Sequence, residues 1–279
     1  MSIKTLDNIN MLNDAMFKAF FRSNETRNVI SSFLSKLTGI DEEILRKAEY
    51  QGGELPKKRL KEKGKTSDII IKIDDGNKII LEMNQYYSKK IFEKNTSYVF
   101  SILSETVPKG TKKYPKVILI NFDNFNYFNT DKPILNFMLR DEYGHIETNR
   151  YNSIHLILEN LVNQEYTISE EIKKLIRFLK MKSIEEMEEE FEGDEDYMAC
   201  IRTVEELSTD PNFVGYYDIE EARRQELEDM EETGIEKGIE QGIEKRNIEI
   251  AKKMLKDNVD IKNIAKYTNL SIEEIELLK

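Results

Sequence analysis

The sequence is poor in the residues that several kinds of protein chemistry require. It has no tryptophan and a single cysteine, Cys200, which excludes an intramolecular disulfide. Two histidines, His145 and His155, are too few for a zinc site of histidines and cysteines, so a metal ion would be held by oxygen ligands. No hydrophobic run approaches the roughly 18 residues of a membrane span, and residues 1–10 lack the apolar segment of a signal peptide. We therefore expect a cytoplasmic protein without a membrane partner.

The residues that are present indicate a globular chain with polarised charge. Hydrophobic residues make up 39% and charged residues 34% of the 279, which excludes disorder of the whole chain. Residues 1–120 hold 22 Lys/Arg against 15 Asp/Glu, whereas residues 121–279 hold 20 against 38. Attraction to a polyanion depends on a local patch more than on the net charge of −11. A candidate patch, for which a solvated loop is the alternative, consists of Lys57, Lys58, Arg59, Lys61, Lys63 and Lys65.

Hydrophobic periodicity predicts two helices, a hairpin, a further helix and a buried strand, in that order. Apolar residues from Phe17 to Leu37 recur at spacings of three and four, with a break at residues 23–25 and a stop at Gly39. The elements after the hairpin are predicted as a helix at residues 86–103 and strands at 116–122, 134–139 and 154–158.

The hairpin of residues 68–84 carries the candidate chemistry. Two isoleucine-rich segments flank Asp74-Asp75-Gly76, which suits a three-residue loop with a left-handed glycine. In this register opposed residues have numbers that sum to 150, so Asp68 lies opposite Glu82 on one open face, and the other face is buried. Two adjacent carboxylates repel each other unless a cation lies between them, and Mg²⁺ suits both carboxylates and phosphates. Ordinary solvated acids are the alternative.

The second half of the chain reads as helical and acidic from about residue 169. A Gly-Ile-Glu repeat at residues 234–245 predicts a helix that docks against another helix, with a flexible hinge as the alternative. Residues 261–279 predict two short helices with a capping box of Ser271 and Glu274. Their spacing is that of a helix-turn-helix. However, three carboxylates of residues 273–276 would face DNA phosphates and repel them, so a role in packing or dimerisation is favoured over DNA recognition.

Together these motifs resemble the PD-(D/E)XK nuclease superfamily, and more narrowly the Rpn-type recombination-promoting nucleases, also called PD-(D/E)XK family transposases. The matching residues are Asn13-Asp14-Ala15-Met16-Phe17-Lys18, Asp68, Leu81-Glu82-Met83-Asn84-Gln85, Phe92, Lys94, Tyr98, the Gly-Ile-Glu repeat and the tail from Ile264 to Ser271. The resemblance implies a restriction-endonuclease-like α/β fold, a mixed sheet flanked by helices, with a core of helix, three strands, helix and strand. We expect this domain at residues 1–165, an acidic helical region at 166–246 and a helical tail at 247–279.

The resemblance also implies the site residues of a metal-dependent DNA endonuclease that uses Mg²⁺, with Mn²⁺ as an alternative ion. Asp68 and Glu82 carry over as metal ligands, and the backbone carbonyl of Met83 joins them. Asp14 carries over as an additional acid near the metal, although a helix N-cap is an equal alternative for this residue. Asn84 stands where the superfamily has a lysine, and the Rpn-type branch often has an amide there. We expect Asn84 to position water or phosphate by hydrogen bonds.

The predicted function is hydrolysis of DNA phosphodiester bonds with weak sequence preference, linked to recombination, transposition or phage defence. Cleavage of both strands needs two sites, which agrees with a homodimer or higher homo-oligomer formed through the C-terminal helices. Because the motif lysine is missing, the main alternative is a non-catalytic protein on the same scaffold that binds nucleic acid or a protein partner. A transcriptional regulator that uses the C-terminal helix pair is a third, disfavoured alternative.

Overall fold

The computed structural model describes residues 8–54, 66–73, 76–87, 90–105, 114–162, 167–215, 217–218, 222, 242–243, 245–257 and 259–278. The chain divides into two compact units, Met1–Glu220 and Glu221–Lys279. The basic stretch of residues 57–65 lies outside the described residues, as does the repeat apart from residues 242, 243 and 245. None of the helices in the described ranges combines the length and the apolar composition that crossing a membrane requires.

Local sequence sets the ends of the first helices. Helix α1 (Asp14–Arg22) begins at Asn13, whose side chain accepts hydrogen bonds from two backbone N–H groups of the first turn. Helix α2 (Arg27–Thr38) ends at Gly39, which adopts a φ of 74° that favours glycine. The predicted break and stop are therefore confirmed. A short helix α3 (Glu42–Lys47), which periodicity did not predict, follows.

Six strands form one mixed sheet in the order β1-β2-β3-β4-β6-β5. Strands β3, β4 and β6 are parallel to one another, and the outer pairings are antiparallel. The central buried strand and the two later strands of the prediction are confirmed. The strands are β1 (Glu49–Glu54), β2 (Thr66–Lys72), β3 (Lys78–Asn84), β4 (Val117–Asp123), β5 (Ile134–Arg140) and β6 (Ile146–Ile157).

The predicted hairpin register is confirmed. Ile69 pairs with Leu81 and Lys72 with Lys78, so the residue numbers of each pair sum to the predicted 150. Gly76 adopts a φ of 84° in the turn, as expected for a glycine in the left-handed region. Asp74 and Asp75 lie outside the described residues. Continued by one residue, the same register places Asp68 opposite Glu82.

Helices cover both faces of the sheet. On one side, which we call the core face, Ile69, Leu81 and Phe122 pack with residues of α1, α2, α5 (Glu170–Lys180), α6 (Ile184–Glu190) and α7 (Glu195–Thr209). On the other side, which we call the acid face, Ile70 and Ile80 pack against α4 (Ile91–Glu105). The prediction that the acid-bearing face is open is wrong, because this helix covers it.

Helices α5, α6 and α7 belong to the first compact unit. They follow a 3₁₀ turn at Asn160–Val162 and contribute buried residues to the core-face cluster, so this core extends beyond residue 165. Neither of the predicted domain boundaries, at residues 165 and 246, is tested by this packing, and both stay predictions.

The second unit has a small core of its own. Residues 245–256 are helical, and α8 (Ile261–Thr268) and α9 (Ile272–Glu276) follow. Ala251, Ile264 and Ile275 are fully buried together. The predicted capping box of Ser271 and Glu274 is confirmed.

Candidate active site

Asp68 and Glu82 lie side by side at the open end of the β2–β3 hairpin. The Asp68 side chain is 14% exposed, and its Oδ2 accepts a hydrogen bond of 2.6 Å from the backbone N–H of Met83. Glu82, on the neighbouring strand, is 3% exposed. The bond from Asp68 to the residue after Glu82 holds the end of β2 against β3, so the structure brings the two predicted acids together.

Burial changes the acidity of both carboxyl groups. It raises the pKa of Asp68 to about 6, against the opposing charge of Lys18. It raises the pKa of Glu82 well above its usual range, and the charge of Asp68 raises that pKa further. The charge of Lys94, on α4, lowers the pKa of both acids but does not offset the burial. Two acids whose pKa values rise together form an electrostatically costly pair that a further cation would stabilise.

Helix α1 adds a lysine and a third carboxylate to this pair. Lys18 Nζ lies 2.6 Å from Asp14 Oδ2 and 3.4 Å from Asp68 Oδ1, so it joins the two acids. Burial disfavours the charged form of Lys18, but the two carboxylates raise its pKa above the usual value. The alternative that Asp14 caps α1 is wrong, because the Asn13 side chain accepts the capping hydrogen bonds. The role of Asp14 near a metal stays a prediction.

The Asn84 amide is buried and bound into the protein. Its Nδ2 donates a hydrogen bond of 2.8 Å to Asp123 Oδ1 and one of 3.2 Å to Asn121 Oδ1. Both N–H bonds of the amide are therefore used within the structure. An interaction of Asn84 with a water molecule would use its carbonyl oxygen as an acceptor.

A buried chain of polar side chains continues from Asn84. Asp123 Oδ2 lies 2.7 Å from His155 Nδ1, and His155 Nε2 lies 3.2 Å from Ser153 Oγ. Asn121 Nδ2 donates to Ser153 Oγ at 3.2 Å, and Asn121 Oδ1 accepts from Asn95 Nδ2 at 3.1 Å. The Asp123 carboxylate fixes the orientation of the His155 ring, and Asn121 links the histidine side of the chain to α4.

Strand register explains why these polar groups meet. Asn121 on β4 pairs with Glu82 on β3 and, on its other side, with His155 on β6. Neighbouring strands lie about 4.8 Å apart, so residues at one level form a line across the sheet. We call this line, which consists of Asp68, Glu82, Asn121 and His155, the polar row.

The acid pair has the donor chemistry of a site for a hard divalent cation. Glu82 Oε1 is buried and makes no hydrogen bond within the described part of the chain, so it is an acceptor without a donor. Mg²⁺ binds through one or two carboxylates and keeps several waters. The described residues contain no group of three or more His, Cys, Asp or Glu side chains that could hold a metal ion. A cation here would rest on two carboxylates, a backbone carbonyl and water.

Sequence reasoning missed several residues of this region. Lys18 is named only as part of a matching motif. Asn121 lies within the segment 116–122, which is predicted simply as a buried strand, and Asp123 follows that segment directly. Asn121 and Asp123 are two positions apart at the end of an apolar strand, so their side chains lie on one face of the sheet. This spacing is the sequence signal that could have identified them. His155 enters the predictions only through the exclusion of a zinc site and as part of the strand at residues 154–158. The predicted DNA contacts at residues 57–65 lie outside the described residues.

Comparison with known proteins gives one family. The family model described as PD-(D/E)XK nuclease family transposase matches residues 11–236 of the chain, which include every residue of the polar row. No curated protein and no solved structure matches the chain significantly. The mixed sheet with flanking helices agrees with the α/β fold of this family.

Proposed function

Because the chain belongs to the PD-(D/E)XK nuclease family transposases, and is thereby a nuclease-family protein linked to transposition, we propose that it is a metal-dependent endonuclease that hydrolyses DNA phosphodiester bonds. We propose Mg²⁺ as the cofactor, with Mn²⁺ as an alternative, and a role in transposition or recombination, with phage defence as a further context. The alternative on the same scaffold is a protein that binds nucleic acid or a protein partner without turnover.

The observation that supports this proposal most is the buried acid pair with an unused oxygen. Glu82 Oε1 has no hydrogen-bond donor among the described residues, and the neighbouring Asp68 raises the pKa of Glu82 above what burial alone produces. A purely structural pair of buried acids is destabilising unless both are hydrogen-bonded or paired with cations. A divalent cation bound between the two carboxylates would offset their repulsion and would bind the unpaired oxygen of Glu82.

Each residue near the pair has a distinct proposed task. Asp68, Glu82 and the Met83 carbonyl would hold the cation, which when bound supplies a Lewis acid for the phosphate and lowers the pKa of a water. Asn84 would accept a hydrogen bond from the attacking water through its carbonyl oxygen. The hydrogen bonds from its Nδ2 hold that oxygen in one orientation.

Two lysines near the acid pair are candidates to supply the positive charge of the missing motif lysine. Lys18 Nζ lies 3.4 Å from Asp68 Oδ1, and the charge of Lys94 acts on both acids from the opposite helix. A cation beside a phosphate offsets the negative charge that develops during hydrolysis. We propose that these two lysines provide this charge from helices, where the superfamily motif provides it from the strand.

The proposed partners are DNA and a second copy of the chain. The lysines and arginine of residues 57–65 would contact the phosphate backbone, which predicts weak sequence preference and strong salt dependence. A homodimer or higher homo-oligomer formed through the C-terminal helices would supply two active sites for two strands.

A plasmid-nicking assay tests the proposed function. We expect the full-length protein to nick supercoiled DNA with Mg²⁺ and to lose this activity with EDTA. Asp68→Asn and Glu82→Gln, which keep the side-chain size, should each lower the rate by at least about 100-fold, because the cation would lose a charged ligand. Glu142→Gln, at an exposed position, is the matched control and should nick at the wild-type rate.

Two results would contradict the proposal in different ways. Nicking that persists in Asp68→Asn and Glu82→Gln would place the activity elsewhere or in a contaminant. DNA binding by all variants without any Mg²⁺- or Mn²⁺-dependent cleavage would support the non-catalytic alternative.

A further inference from the structure

A cavity beside the polar row has no part in the proposed cleavage chemistry. It has a volume of about 300 Å³ and lies between α4 and strands β4 and β6. Aromatic rings form much of its wall, and amide and imidazole groups form its polar part. Six of the residues that line the cavity are Phe92, Phe128, Phe137, Tyr151, Asn95 and His155. Its size is at the lower end of pockets that bind small ligands.

Asn95 lines this cavity and carries an unused acceptor. The residue is 2% exposed, and its Nδ2 donates to Asn121 Oδ1 at 3.1 Å. Its Oδ1 is buried and has no hydrogen-bond partner among the residues that the structure describes. Buried acceptors are nearly always paired, so an unpaired one on a residue that lines a cavity points to a ligand that donates an N–H or O–H group.

Aromatic rings connect the end of β3 with the cavity. Tyr87, three residues after Asn84, stacks on Tyr127 with ring centroids 4.9 Å apart, and Tyr127 lies 4.9 Å from Phe92. The Phe128 ring lies 5.6 Å from Phe92 and 5.0 Å from Phe137. We call these five rings the aromatic track. Planar aromatic surfaces of this kind stack with the bases of single-stranded nucleic acid.

The cavity is also close to the acid pair. Asn121 contributes to the cavity and pairs in register with Glu82, so the two positions are one strand spacing apart, about 4.8 Å. A strand whose phosphate is bound by a cation at the acid pair would therefore have its neighbouring bases beside the aromatic track.

We propose that this cavity binds an unpaired base of the DNA strand held at the acid pair, an inference that rests on the proposed nuclease function. The aromatic wall fits the flat faces of a base, and Asn95 Oδ1 would accept a hydrogen bond from an amino group such as those of adenine, cytosine and guanine. The preferred substrate is then DNA with an unpaired base next to the cleaved bond. Extruding a base costs least where the base is already unpaired.

Fluorescence of 2-aminopurine in short DNA duplexes tests this site with the full-length protein. One duplex carries the probe opposite an abasic position, where it is unpaired, and the other carries it opposite thymine. With EDTA present to prevent cleavage, we expect stacking to quench the unpaired probe, and we expect this duplex to bind about tenfold more tightly than the paired one.

Three variants make the test specific. Phe137→Ala removes a wall ring and should lower the preference for the unpaired probe about tenfold, and Asn95→Leu removes the acceptor and should lower it about fivefold. Tyr143→Ala removes an aromatic side chain that is 81% exposed outside the cavity, and it should bind as the wild type does. A competing duplex with unsubstituted purine, which lacks the amino group, should bind about fivefold more weakly to the wild type but equally well to Asn95→Leu. If Asn95→Leu fails to fold, the partly exposed Phe137→Ala decides.

The outcomes separate this inference from the proposed function. Equal binding of both duplexes by the wild type, or an unchanged preference in Phe137→Ala, overturns the base site even if plasmid nicking depends on Asp68. A preference that depends on Phe137, without any nicking, supports the base site and contradicts the nuclease. Failure to bind either duplex with EDTA overturns the base site, and the plasmid-nicking assay with Mg²⁺ then decides the nuclease.

Discussion

The two faces of the sheet differ in what fills them. On the core face, Phe17, Phe21 and Phe33 surround Phe122 with ring centroids 5.2 to 5.8 Å away, and hydrocarbon continues into α5 and α7. On the acid face, hydrocarbon ends at Ile80 and Leu119, and the next level of the sheet is the polar row. The same strands therefore carry the stabilising core on one side and costly buried charge on the other.

This difference shows which face of the sheet can carry a site that lowers the stability of the fold. A buried acid pair with raised pKa values lowers stability at neutral pH, and it persists because the large core on the opposite face holds the strands in place. Changes on the core face should therefore affect stability, whereas changes in the acid pair of Asp68 and Glu82 should affect activity and should even raise stability. Four measurements test this contrast, in order of the effect expected.

The largest effect is expected from Phe122→Ala. This side chain is fully buried among three other phenylalanines, so its truncation should lower the free energy of unfolding by about 3–5 kcal/mol. Urea denaturation followed by circular dichroism measures the change, with Tyr143→Ala as the exposed control. If the folded fraction of Phe122→Ala nicks DNA at well below the wild-type rate, the two faces are not separable in function.

Asp68→Asn should stabilise the protein at high pH. Burial raises the pKa of Asp68 to about 6 from its ordinary 3.8, so the native state binds more protons than the unfolded state between these values. The contribution of Asp68 to stability is therefore present below about pH 4 and is lost as the pH rises through about 6. We expect the variant to gain about 3 kcal/mol in the free energy of unfolding at pH 8 and nothing at pH 4. A loss of stability at pH 8 would show that the charged form is favoured in the fold.

Magnesium should stabilise the protein only where the acid pair is ionised. A cation at ten times its Kd adds about 1.4 kcal/mol to the free energy of unfolding, because it binds the native state alone. Thermal unfolding with and without MgCl₂ should give a higher melting temperature at pH 8 and no change at pH 4.5, where the acids are protonated. The shift should be absent in Glu82→Gln. An equal shift in that variant would locate the cation at another site.

The smallest effect is expected from Lys18→Met. Removing a cation 3.4 Å from Asp68 should lower the nicking rate about fivefold, equivalent to about 1 kcal/mol of barrier, with little change in DNA affinity. Lys36→Met is the matched control, because Lys36 pairs with Glu171 at 3.5 Å away from the acid pair. Equal rates for the two variants would assign no role in cleavage to Lys18.

The hairpin could be predicted from the sequence because its information is local. Period-two alternation and a glycine turn fix both the faces and the register, so the opposition of Asp68 and Glu82 follows from about seventeen contiguous residues. The signal for the end of α1 is also local. The residue types alone do not decide which residue caps the start of this helix. Asn13 and Asp14 are both good N-caps, and only the backbone geometry shows that Asn13 fills this position.

The rest of the polar row could not be predicted in this way. Its assembly depends on parallel pairing of β3, β4 and β6, whose register is set by distant packing and not by a turn. The covering of the acid face by α4 had no clear local signal either, since Ile70 and Ile80 are only two apolar residues on a face of acids and lysines. Both features arise from long-range contacts, which a single sequence specifies weakly.

The topology of the sheet has a consequence for the order of assembly during synthesis. Hairpin β2–β3 closes over a short loop, whereas β4 must find β3 across residues 85–116 and β6 lies further along the chain. We therefore expect the two carboxylates to become neighbours while both are still hydrated. Their dehydration comes later, when α4 docks and strands β4 and β6 join the sheet, so the cost of burying the two charges arises after the hairpin has formed.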